Sequence, residues 1–152
     1  MENSKIKTQS SEQQTKSPKA KILTLAVENQ NKELRRKNQL KYRAYYFSIN
    51  IIKFVNQLSY QIVNKIVVDQ LVRCATSIGA NIIEAKASSS RKDFIRFYEI
   101  ALKSANETKY WLCLVKDGLG LKEKEIDNLL NEVKEISKML GSSILTLKNK
   151  KF

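Results

Sequence analysis

An all-α fold is what this sequence predicts: an antiparallel up-and-down four-helix bundle behind a flexible, basic N-terminal arm. Three observations carry that expectation. Apolar residues recur at helical rather than alternating spacing over long stretches. Glycine and proline number only 4 and 1 in 152 residues, too few for the turns of many strands but enough for a few helix junctions. The polar runs SSSRK at 88–92 and DGLG at 117–120 are short, as connections between neighbouring helices of a bundle are.

The domain reading is an arm over 1–41 and a bundle over 42–150. Residues 1–18 are rich in Ser, Gln, Lys and Thr with almost no apolar side chains, so burial there cannot offset the entropy of ordering the chain. Ile22, Leu25 and Ala26 are spaced for one helical face and predict a short helix over 20–37. The cluster Arg35, Arg36 and Lys37 fits a phosphate backbone and equally fits a solvated connector.

Helix one is expected over Tyr42–Gln57, where Tyr45, Tyr46, Phe47, Ile49, Ile51, Ile52, Phe54 and Val55 surround nearly the whole cylinder, the pattern of a largely buried helix. Its aromatic residues beside Arg43 and Lys53 invite a base-stacking reading, but apolar positions on every side favour core packing. Helix two is expected from Val63 or Lys65 to Ala87. Its small residues Ala75, Thr76, Ser77, Gly79 and Ala80 lie among Leu71, Val72, Ile78, Ile82 and Ile83 and predict close approach of neighbouring backbones. Its apolar and small positions cover an arc of roughly 200°, wider than the stripe of about 100° that one packed face needs, and so predict two neighbours. The remaining arc carries a polar stripe of Gln70, Arg73, Ser77, Asn81 and Glu84.

Helix three should start near Ser90, with serines 88–90 as caps and Asp93 placing negative charge at the positive end of the dipole; Arg91 and Lys92 then belong to the loop. Phe94, Phe97, Ala101, Ala105, Thr108, Leu112 and Val115 form its broad apolar face, with Ile100 and Trp111 at the edge and a second stripe of Ile95, Leu102 and Cys113. Asp117-Gly118-Leu119-Gly120 ends it, because glycine adopts the left-handed conformation that closes a helix. Helix four, about Lys122–Lys148, places Ile126, Leu129, Leu130, Val133, Ile136, Leu140, Ile144 and Leu147 on one side and charge on the other. That single stripe marks a peripheral helix.

The segment from Leu71 to Leu114 resembles the four-helix-bundle family encoded by intervening sequences in bacterial 23S ribosomal RNA. The residues that carry the resemblance are Arg73, Ala75, Ser77, Ile78, Ala80, Asn81, Ile82, Glu84 and Ala85, then Lys92, Asp93, Phe94 and Ile95, then Glu107, Thr108, Tyr110, Trp111 and Leu112. The likeness extends over about Tyr42–Lys150. It implies a homopentamer of up-and-down bundles without implying a settled activity. Accessory proteins of diversity-generating retroelements look like distant relatives, and those bind a reverse transcriptase and nucleic acid.

Charge is the strongest functional clue outside that resemblance. The formal net charge is +13 and the pI near 9.8, and the excess is shared: residues 1–41 hold 10 of the 28 basic and 4 of the 15 acidic side chains. Such a chain attracts anionic partners, phosphate backbones first among them. Catalytic motifs are missing. The sequence has no histidine, which removes the usual general base and commonest metal ligand, and it has no Gly-rich phosphate loop, HExxH or CxxC. Glu123, Glu125 and Asp127 lie near a helix start, where dipole compensation explains them better than metal binding. Cys74 and Cys113 lie on or beside apolar faces and read as small buried hydrophobes.

The expectation is therefore a non-enzyme without cofactor or metal that binds RNA or DNA through phosphate. An adaptor for a protein, such as the reverse transcriptase of a retroelement, is the alternative. The expected location is the cytoplasm, two cysteines being too few for a disulfide framework, with no membrane association because no apolar run approaches the about 18 residues of a span. The expected nucleic-acid contacts are Arg35, Arg36, Lys37, Arg91, Lys92, Arg96 and Lys103. The polar stripe Arg73, Ser77, Asn81 and Glu84, with Glu107, reads as structural, pairing Glu84 with Arg91 across the turn and Glu107 with Arg73.

Overall fold

The computed structural model describes Gln30 and residues 39–58, 65–118, 120 and 124–149. Those residues form four long helices and no strand: α1 (Leu40–Gln57), α2 (Lys65–Ala87), α3 (Arg91–Gly118) and α4 (Lys124–Asn149). Residues 36–152 make one compact unit and residues 1–35 another. The expected arm, its short helix over 20–37 and the cluster Arg35, Arg36 and Lys37 lie outside the described residues, save for Gln30, which is helical.

Each helix packs on two others. α2 lies against α1 and α3, and α4 closes the ring by touching α3 and α1. The side chains turned inward are those the 3.6-residue period brings to one line: Phe47, Ile51 and Phe54 from α1, Leu71, Ile78 and Ile82 from α2, Leu112 from α3, and Ile126, Ile136 and Leu140 from α4. α4 shows the simplest case. Every residue of its expected stripe from Ile126 to Ile144 is buried, and Leu147 is half-buried.

The small residues of α2 do bring a neighbouring backbone close. Ser48 of α1 reaches the Ala75 carbonyl at 3.4 Å, and a Cβ built on Gly79 would stand 3.9 Å from the backbone and Cβ of Ala44. That distance is ordinary contact, so Gly79→Ala should fit. It should raise stability by roughly 0.5–1 kcal/mol through helix propensity, whereas Gly79→Leu should lower it by about 1–3 kcal/mol by prying α1 from α2. Urea denaturation of the two variants checks both signs. The close approach is made within the chain.

Helix junctions follow local chemistry. The Ser90 hydroxyl accepts the Asp93 N–H at 3.0 Å and donates to its carboxylate at 2.6 Å, a reciprocal cap on α3. The Ser88 hydroxyl donates to the Ala85 carbonyl at the end of α2, 2.6 Å away. Gly120 takes a φ of 62° after α3, the left-handed conformation expected of that turn.

Three expectations need correction. Arg91 and Lys92 belong to the first turn of α3 rather than to the loop, because the Ser90 cap starts the helix directly behind it. α1 is not buried all round: Tyr45 and Tyr46 are 59% and 48% exposed and Ile52 is also outside, whereas Phe47 is 1% exposed. A helix with only two neighbours leaves an outer arc uncovered, whatever its hydropathy. Cys113 is exposed while Cys74 is buried: of the second stripe of α3, Ile95 and Leu102 pack against the edge of the core, whereas Cys113 lies outside it. One helix among the described residues, α2, has the length and hydropathy of a membrane span, and its buried side chains from Leu71 to Ala85 pack inside the bundle.

Candidate functional site

The cationic face lies on α3. Lys92, Arg96 and Lys103 are all exposed, and at about 100° per residue their spacing of four and seven places them along one line of the helix. Two cations at a helix start oppose its dipole, and two features relieve this. Asp93 supplies a carboxylate in the same turn. Arg91 donates to the carbonyl of Leu147 in the last turn of α4, a helix end where positive charge is favourable. Arg96 lies 5.6 Å from the centre of the Phe97 ring, and Lys148 pairs with Glu99 at 2.6 Å on the seam between α3 and α4.

The polar stripe of α2 faces α3 along the seam between those helices. Arg73 forks onto Gln70 at 3.1 and 2.7 Å and meets Glu107 at 3.3 Å, as expected; these groups are exposed enough that the ion pair is worth about 1 kcal/mol or less. Deeper in the seam the Ser77 and Ser104 hydroxyls lie 3.1 Å apart, and Asn81 donates to the Ser77 hydroxyl at 3.0 Å and to its carbonyl at 2.7 Å. Thr108 is fully buried and donates to the Ser104 carbonyl at 2.7 Å, with its oxygen 3.2 Å from Cys74 Sγ. Glu84 is exposed. The stripe is thus a hydrogen-bonded seam, with Arg73 and Glu84 at its outer edge. It holds no constellation of nucleophile and base, and no cluster of three metal-ligating side chains occurs among the described residues.

A family model described as 23S rRNA-intervening sequence protein matches residues 36–142. The chain belongs to that family. A solved structure from Bacteroides thetaiotaomicron VPI-5482, described as a protein with unknown function from the S23 ribosomal protein family, is similar at 37% identity and a TM-score of 0.63. The similarity covers 70% of this chain and 98% of that one. No curated protein matches.

In this member of the 23S rRNA-intervening sequence protein family, the matched segment holds α1, α2, α3 and most of α4, and with them the cationic face and the seam. Sequence reasoning missed three contacts. Arg43 of α1 forks onto Glu132 of α4 at 2.7 and 2.6 Å, half-buried, and touches Met139 Sδ at 3.6 Å; the bonds it donates to Glu132 hold the guanidinium above its ordinary pKa. Tyr98 is buried and stacks on Phe94 with centroids 4.6 Å apart, and burial raises its pKa. Lys116 meets Asp127 at 2.5 Å. Spacing four apart was the available signal for Tyr98, whereas partners 89 residues apart leave none.

The cysteines give a direct test of these placements. Burial pushes the Cys74 thiol above its usual pKa, and both the missing thiolate and the lack of access slow alkylation. Iodoacetamide at pH 8 should label Cys113 at least about a hundred times faster than Cys74, as peptide mapping would report. Equal rates would contradict the packing of the α2–α3 seam.

Proposed function

We propose that the protein is a non-catalytic, cytoplasmic, self-associating bundle that binds RNA or other nucleic acid through the phosphate backbone. The exposed line Lys92, Arg96 and Lys103 on a chain of net charge +13 is the observation that carries this reading. Neither a cofactor nor a metal is needed for it, and no membrane contact. Arg35, Arg36 and Lys37 would extend the same contact from the arm.

The bundle in this proposal is antiparallel and up-and-down. The pairs Arg73–Glu107 and Ser77–Ser104 support that order, as do Glu99–Lys148 and Lys116–Asp127, since numbers rise in one helix as they fall in the next. Self-association, in a pentamer as the family resemblance implies, is supported by the large apolar side chains left outside: Tyr45, Tyr46, Ile52 and Ile83 on α1 and α2, and Tyr110 on α3. Large apolar side chains left in water mark contact with another chain where they gather into a patch. The same side chains favour the second reading, an adaptor for a protein such as a reverse transcriptase. Light scattering at micromolar concentration separates the two, an assembly of like subunits supporting the first and a monomer the second.

Binding itself is tested by salt. If each subunit neutralises about four to six phosphates, the slope of log affinity against log salt should be roughly −3 to −5 per engaged subunit. A slope near zero would contradict phosphate-directed binding.

A further inference from the structure

The outer line of α3 does not end with Lys92, Arg96 and Lys103. At about 100° per residue, Tyr110 and Leu114 fall within about 40° of Lys92, and both are exposed, the tyrosine by 61%. The Tyr110 ring meets Trp111 edge to face, with centroids 5.2 Å apart and an interplanar angle of 72°. Such a contact engages at most one face of the tyrosine, so Trp111 leaves the other uncovered. The charge along the line is uncompensated. Two carboxylates flank it, and each is held by a cation of a neighbouring helix: Glu99 by Lys148 at 2.6 Å and Glu107 by Arg73 at 3.3 Å. No described carboxylate pairs with Lys92, Arg96 or Lys103. Arg96 rests 5.6 Å from the centre of the Phe97 ring, a contact that leaves its charge in place. Asp117, also exposed, closes the line about 10 Å beyond Tyr110.

We infer that this line is a track for a single-stranded nucleic acid, with phosphates on Lys92, Arg96 and Lys103 and an unpaired base stacked on Tyr110. The inference rests on the nucleic-acid reading and adds to it a preference for single strands and a base contact. From Lys92 to Tyr110 the helix rises about 27 Å, room for about eight nucleotides at the roughly 3.4 Å per nucleotide of a stacked strand. A second copy of the chain carries +13 itself, and like charge opposes its contact with three uncompensated cations. That leaves Tyr45, Tyr46, Ile52 and Ile83 on α1 and α2 for contact between subunits. An acidic peptide answers the cations, but a nucleic-acid strand sets an anion beside a planar ring at every step, and cations in line with an exposed ring are what sequence-tolerant single-strand binders combine. Inside a duplex both faces of a base are already stacked, so Tyr110 gains nothing there.

Full-length wild-type protein, Tyr110→Ala and Tyr110→Phe would be titrated against fluorescent oligouridine, duplex DNA and polyglutamate at several salt concentrations, with circular dichroism to verify folding and light scattering to follow assembly. Tyr110→Ala should bind oligouridine about fivefold to a hundredfold more weakly with the salt slope unchanged, since the ring neutralises no phosphate. Tyr110→Phe keeps the ring face and should bind within about twofold of wild type, as should Tyr110→Ala on duplex DNA. Wild-type protein should crosslink a 5-iodouridine oligonucleotide at Tyr110. Oligouridine binding unchanged in folded Tyr110→Ala, with duplex binding intact, would overturn the track and leave the phosphate-contact reading standing. Loss of self-association in Tyr110→Ala with oligouridine binding retained would also overturn it, making Tyr110 a subunit contact. Polyglutamate bound as tightly as oligouridine, with the same dependence on Tyr110, would replace the strand by an acidic polypeptide. If wild-type protein binds neither nucleic acid, the track falls together with the reading on which it rests.

Discussion

Replacing Lys92, Arg96 and Lys103 together with Arg91 by glutamate should weaken nucleic-acid binding by about a hundredfold or more at low salt. The slope of log affinity against log salt should flatten by roughly 3 to 4, since each lost phosphate contact removes about 0.7–0.9 of it. All four side chains are exposed on α3, and acidic residues in the first turn suit the helix dipole better than the cations they replace. Far-UV circular dichroism should therefore remain that of the wild type. The triple variant that keeps Arg91 also keeps the contact with the Leu147 carbonyl, and should show most of the effect. An unchanged slope in either folded variant would move the interface away from α3.

Phe47→Ala should destabilise the bundle by about 3–5 kcal/mol, because the ring is almost fully buried among the four helices and the neighbours can close the cavity only in part. Tyr45→Ser, two residues away on the outer arc, should cost at most about 0.5 kcal/mol in the dissociated chain. Urea midpoints at several protein concentrations read both. A concentration-dependent loss for Tyr45→Ser would place that tyrosine in a subunit contact, while equal, concentration-independent losses would contradict the facing of α1.

Where one physical signal dominates, the sequence was enough. The stripe Ile126 to Ile144 has charge on its other side, so period and partition agree. The reciprocal Ser90–Asp93 cap is local and depends on residues three apart. On α1 and α3 the signals compete. Apolar residues on all sides of α1 leave the periodicity blind to which arc meets neighbours, so it places Tyr45 and Ile52 in the core although both are exposed. Cys113, beside an apolar face yet exposed, is the same case on α3. The cationic line Lys92, Arg96 and Lys103 is readable from spacing alone. The setting of Arg91 is not, because it depends on where the last turn of α4 ends.

The central claim is phosphate-directed binding of nucleic acid, and the most direct measurement is fluorescence anisotropy of wild-type protein with structured RNA, single-stranded RNA and duplex DNA over a salt series starting near 50 mM. The account predicts binding to at least one of these polymers at the lowest salt, with affinity falling steeply and log-linearly as salt rises. No binding to any of the three at the lowest salt would contradict it and leave the protein-adaptor reading in its place.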